Sequence, residues 1–183
     1  GHTIKNGKIV SDYHSGSGFF GTLDKISYIK NLVFREMTAK STSFYNYAIV
    51  AGKNTANGTV FENIELYNCF VNTSSSSSNN GGLILTKSTG AIQILNCAVY
   101  NSMYYGGYSN GVVAASLNST EYQSVVENFV ALNTFVINPG NPVGYVVKSG
   151  NAKLKNCYNN MYPTEIKMEN VKQFFTEEQQ GLY

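Results

Sequence analysis

Apolar and polar residues alternate in short runs along this chain, and an asparagine in a constant setting punctuates the runs. An apolar residue, any residue and then asparagine occur at Ile4-Lys5-Asn6, Ile29-Lys30-Asn31, Phe61-Glu62-Asn63, Ile94-Leu95-Asn96, Val126-Glu127-Asn128 and Leu154-Lys155-Asn156. Beyond it, apolar residues fall on alternate positions: Leu32 and Phe34, Ile64 and Leu66, Cys97 and Val99, Phe129 and Ala131. That is the period of a strand with one face buried. A second asparagine closes the strand at Asn68, Asn101 and Asn133. A variable polar stretch follows, including 38–45, 74–81 and 103–108. Then comes a compact apolar strand that usually opens on glycine, as in Gly82-Leu83-Ile84-Leu85 and Gly111-Val112-Val113-Ala114.

The first asparagines of the repeats are 25, 32, 33, 32 and 28 residues apart. A period of that size marks a repeat architecture whose units bury their apolar faces only by stacking. With two or three short strands per unit and no helical pattern, the sequence predicts an all-β parallel β-helix. A leucine-rich repeat would need a helical segment per unit, and a sandwich would make the long register accidental. Residues 1–162 form the solenoid, about five to six coils beginning near 2, 26, 60, 92, 125 and 153. At ~4.8 Å per coil the rod is roughly 26 Å long. Asn6, Asn31, Asn63, Asn96, Asn128 and Asn156 form a structural ladder, because asparagine tolerates the left-handed backbone of a sharp corner. The ladder is expected inside the stack, its amides bonded from coil to coil. Over 163–183 the charge density rises, and Val171, Phe174 and Phe175 have helical spacing. A short C-terminal helical cap there would cover the last coil's open edge.

Composition narrows the function. Charged residues are 13% of 183, net charge is +2, and there are 14 Tyr and 10 Phe. With Arg35 the single arginine and no basic stripe, nucleic acid is excluded as a partner. Apolar runs are too short for membrane insertion. The opening Gly1-His2-Thr3-Ile4 reads as an entry into mid-repeat, with any targeting segment and further domains of the same polypeptide upstream. Cys69, Cys97 and Cys157 match neither zinc nor redox spacing. Cys97 and Cys157 lie two coils apart, ~9–10 Å, beyond disulfide reach. All three are expected as buried free thiols, and no metal or cofactor is implied.

The segments "GHTIKNGKIV…SGFFGTL…ISYIKNLVF", "GAIQILNCAVYNS" and "KLKNCYNN" resemble the bacterial GLUG-motif repeat family over residues 1–162. The second repeat departs from it in lacking a strand-opening glycine, and Phe129 stands where the family has another residue. The resemblance implies a single-stranded right-handed β-helix from a secreted or cell-surface protein of Bacteroides-like bacteria, and no catalytic motif.

Candidate chemistry is sparse. Glycosidases of this shape need paired carboxylates. The two aspartates, Asp12 and Asp24, lie near turns, and Glu62 and Glu127 share an outward column interrupted by Leu95. His2 and His14 read as surface residues. The triplets at Asn57, Asn72 and Asn118 match the glycosylation pattern by chance in so polar a chain. Tyr100, Tyr104, Tyr105 and Tyr108 gather around one loop, where rings beside amide side chains suit sugar binding. Truncating Tyr104 and Tyr105 is then expected to remove glycan retention and spare the fold. The first expectation is a non-catalytic extracellular module, adhesive or spacer, monomeric, with glycans or host and cell-surface proteins as partners. The alternatives are a fragment of a carbohydrate-active enzyme whose catalytic coils lie elsewhere, and a trimeric phage-tail-like β-helix.

Overall fold

The computed structural model describes residues 1–10, 16–40, 46–73, 80–137, 144 and 146–160. The chain winds as a parallel β-solenoid with three faces. The wide face is a seven-stranded sheet of His2–Lys5, Tyr28–Arg35, Thr59–Tyr67, Ile92–Leu95 end to end with Ala98–Tyr100, Ser124–Leu132 and Ala152–Asn159. A narrow face of five strands holds Lys8–Ile9, Thr38–Lys40, Phe70–Asn72, Met103–Tyr105 and Phe135–Ile137. The return face, also of five, holds Phe20–Leu23, Ala51–Asn54, Leu85–Ser88, Ala114–Leu117 and Val147–Gly150. No helix occurs among the described residues. The helical cap expected over 163–183 lies outside them.

Each long strand of the wide face is folded over its asparagine. In Thr59–Tyr67, Phe61 points in, Glu62 and Asn63 point out, and Ile64 and Leu66 point in again. Asn63 has φ 54°, and this left-handed step shifts the alternation by one residue, so both halves face the same core. Ser124–Leu132 repeats the pattern position for position. A second left-handed corner ends the strand, at Glu36 (φ 55°), Asn68 (φ 53°), Asn101 (φ 47°) and Asn133 (φ 49°).

Two expectations about the ladder change. Asn6 is not on its first rung: Lys5 pairs with Arg35, so Asn6 sits in register with Glu36 at the second corner. Its N–H donates to Arg35 O at 3.1 Å, as the N–H of Glu36 donates to Tyr67 O at 2.9 Å. The short first interval of the repeat came from comparing different corners. Nor is the ladder internal. Asn31, Asn63, Asn96, Asn128 and Asn156 are exposed, because a left-handed residue in a convex corner projects outward. Their amides still bond along the stack, with Nδ2 donating to Oδ1 from Asn63 to Asn31 at 2.8 Å, Asn128 to Asn96 at 2.9 Å and Asn156 to Asn128 at 3.0 Å.

The core consists of inward columns. Ile29, Phe61, Ile94 and Val126 form one, and Phe34, Leu66, Val99 and Ala131 another. Nearly all are fully buried. The compact apolar segments are corners rather than strands. Leu83, Ile84 and Leu85 are all completely buried, and the strand begins only at Leu85. The glycine before them allows close approach, since a Cβ on Gly82 would strike the Val113 carbonyl. Segments 38–40 and 103–105, expected as loop, are strands of the narrow face. Several buried polar groups bond between coils: Asn54 Nδ2 donates to Ser88 Oγ at 2.9 Å, and the Ile92 N–H to Ser124 Oγ at 3.2 Å, while Asn54 Oδ1 and Tyr104 OH are left without a partner.

Candidate functional site

The four tyrosines singled out in the sequence do not form one surface. Tyr104 is completely buried on the narrow face, in an inward column between Val71 and Val136. A Cβ on Gly81 would collide with its hydroxyl, so the ring occupies space left by that glycine. Burial pushes its phenol up. Truncation at Tyr104 would therefore open a cavity and destabilise the fold rather than disarm a site. Tyr105 ends the same strand half-buried, and Tyr108 beyond it is 49% exposed.

Tyr100 lies instead on the wide face, in the outward column Arg35, Tyr67, Tyr100, Leu132. The rings of Tyr67 and Tyr100 stack at 4.8 Å with an interplanar angle of 22°, and the Arg35 guanidinium sits 4.0 Å from the Tyr67 ring centroid. Tyr67 OH donates to Glu65 Oε2 at 2.8 Å. Desolvation and then Glu65 raise its phenol. Both faces of the Tyr67 ring are occupied by neighbours along the axis, which leaves it no face for a sugar.

The carboxylates are used in the same way. Glu62 pairs with Lys30 at 2.7 Å and Glu127 with Lys155 at 3.1 Å, with Leu95 on the coil between them. Among the described residues no group of three or more His, Cys, Asp or Glu could hold a metal. Asp12 and His14 lie outside those residues, and His2 is exposed on the first strand.

The thiols have a local role that the sequence reading missed. Where the residue after a corner asparagine carries a thiol or hydroxyl, it donates back across the corner to the carbonyl two residues earlier. Cys69 reaches Tyr67 O at 3.4 Å, Cys97 reaches Leu95 O at 3.2 Å and Cys157 reaches Lys155 O at 3.4 Å. Ser102 and Thr134 do the same with hydroxyls, to Tyr100 O at 2.8 Å and Leu132 O at 3.1 Å. Asparagine followed by Cys, Ser or Thr was the available signal. All three thiols are free. Burial pushes Cys69 and Cys97 up to about 12. Cys157 is only partly buried, contrary to expectation, because it lies on the outermost described strand of the wide face.

A groove forms where the return face turns into the wide face. The turn 89–91 is short and tight, since a Cβ on Gly90 would strike the Ala56 carbonyl. On one side of it stands the turn 55–58, and on the other the longer turn 118–123. The gap between them is a hollow of about 360 Å³ with Ala91, Ile92 and Gln93 as floor and Asn57, Tyr122 and Gln123 as walls. The walls are fixed. Asn57 accepts from the Ala91 N–H at 2.7 Å and donates to Glu121 at 2.8 Å, which ties the two turns together. The Tyr122 N–H donates to Ser119 Oγ at 3.3 Å, and Gln123 Nε2 donates to Asn151 Oδ1 at 3.0 Å. Tyr122 is 63% exposed. A second hollow of about 560 Å³ borders Ser17, Thr22, Asp24 and Lys53 and contains no ring.

No protein-family model, curated protein or solved structure matches the chain.

Proposed function

We propose that this chain is a non-catalytic module of a bacterial secreted or cell-surface protein, a rigid β-solenoid spacer that presents ligand-contacting turns. In this reading it is a monomeric, right-handed rod of five to six coils closed by a C-terminal helical cap, of the GLUG-repeat kind that its Asn-centred segments resemble. The observation that carries the reading is how the outward side chains of the wide face are used. Arg35, Tyr67 and Tyr100 stack on one another, Lys30 pairs with Glu62, and Lys155 pairs with Glu127. Glycoside hydrolysis needs carboxylates free to meet the substrate. On this face they stabilise neighbouring coils instead. The test is turnover: the purified chain, incubated with neutral and acidic polysaccharides, should release no reducing ends and no unsaturated uronate. Release that tracks the protein through purification and stops in Glu62→Gln or Glu127→Gln would overturn the reading in favour of a carbohydrate-active enzyme.

A further inference from the structure

We infer that the groove between the turns 55–58 and 118–123 binds sugar units of a neutral polysaccharide, with the Tyr122 ring as their platform. The inference rests on the ligand-presenting reading above and gives that reading a ligand class and an address. Three features of the groove carry it.

The first is charge. The lining residues Asn57, Gln93, Tyr122 and Gln123, with Gly58, Ala91 and Ile92, include no carboxylate, ammonium or guanidinium. Glu121, which borders the groove, is held by the Asn57 amide. The lining itself offers an acidic or basic polymer no ion pair, whereas hydroxyl groups meet amides that both donate and accept. The second is the ring. Tyr122 is exposed at 63%, and an exposed aromatic face offers an apolar plane to the C–H face of a pyranose. Tyr67, by contrast, is covered on both sides.

The third feature is rigidity. The turn that carries Tyr122 is pinned by Ser119 within the coil, by Asn57 on the far side of the groove and by Asn151 on the next coil. A platform fixed before binding avoids the entropic cost of ordering a loop.

The test is affinity electrophoresis of the whole chain through native gels containing hydroxyethylcellulose, mixed-linkage β-glucan, xylan or galactomannan, with alginate and polygalacturonate as charged comparisons. The protein should be retarded in at least one neutral gel, and Tyr122→Ala should weaken that retardation at least tenfold. Tyr122→Phe, which keeps the ring face, should preserve it, and Tyr105→Ala should leave it unchanged. Because Tyr122 is exposed, its variants should melt with the wild type. Free migration in all four neutral gels, retardation only in the charged gels, or a Tyr122→Ala protein that binds like wild type would each overturn the assignment. These outcomes are separable from turnover: a catalytically active chain refutes the module reading while leaving the groove intact, and an empty groove refutes the ligand while leaving the spacer.

Discussion

At the first corner of the wide face, every described strand from Asn31 to Asn156 carries asparagine, whereas the second corner has Glu36 between Asn6 and Asn68. The backbone does not register the difference. Glu36 has φ 55° and Asn68 φ 53°. The stacking of coils therefore dictates the left-handed step, and the residue either suits it or is strained by it. At the first corner the amide also bonds along the stack, so the residue serves both geometry and cohesion. The second corner shares part of this, with Asn133 donating to Asn101 at 3.3 Å, but Glu36 has no amide to offer.

The comparison can be tested hardest through the thiols that follow the two corners, Cys69 after the second and Cys97 after the first. Their folded values near 12 lie above the ordinary 9.0, so the folded state holds these protons more tightly. The stability they contribute is intact below pH 9 and is lost as pH rises toward 12. At about 1.4 kcal/mol per pKa unit, the pair should cost several kcal/mol by pH 11. Urea titrations across this range should show a steep alkaline fall that flattens in the Cys69→Ser/Cys97→Ser double variant. An equally steep fall in that variant would place the cause elsewhere.

A smaller effect follows from altering one corner. Asn63→Val puts a β-branched residue in the left-handed region and removes the bond to Asn31, which should cost about 2–3 kcal/mol. Asn63→Gly keeps the backbone and loses only the amide, at about 1 kcal/mol. Equal losses in denaturant midpoint for the two would mean that conformation contributes nothing. The smallest change runs the other way. Glu36→Asn should raise stability by about 0.5–1 kcal/mol, because asparagine tolerates the same φ with less strain. A destabilised Glu36→Asn protein would show that Glu36 makes a contact worth more than that strain.

The corners were legible because their chemistry is local: few residues accept positive φ, and asparagine is the usual one outside glycine. The inward alternation of Ile64 and Leu66 was legible for the same reason. The narrow face was not. A three-residue strand such as Met103–Tyr105 is too short for its phase to be read, so nothing local showed that Tyr104 turns inward. The corner identity of Asn6 needed the pairing register, which a single repeated triplet does not contain. The groove is further from the sequence still. It arises from differences in turn length among three successive coils, and only stacking brings Asn57 and Glu121 together across 64 residues of chain.

That bond between Asn57 and Glu121 has an evolutionary and engineering consequence. Elsewhere in the wide face each coil bonds to the ones directly above and below it, so a whole coil can be duplicated or excised with its neighbours meeting equivalent surfaces. Such a rod behaves as a ruler graduated in single coils, its reach set by copy number. The strap from Asn57 to Glu121 skips a graduation. The bond is kept only where the three coils it spans stay together in that order, while coils outside them can change in number without touching it.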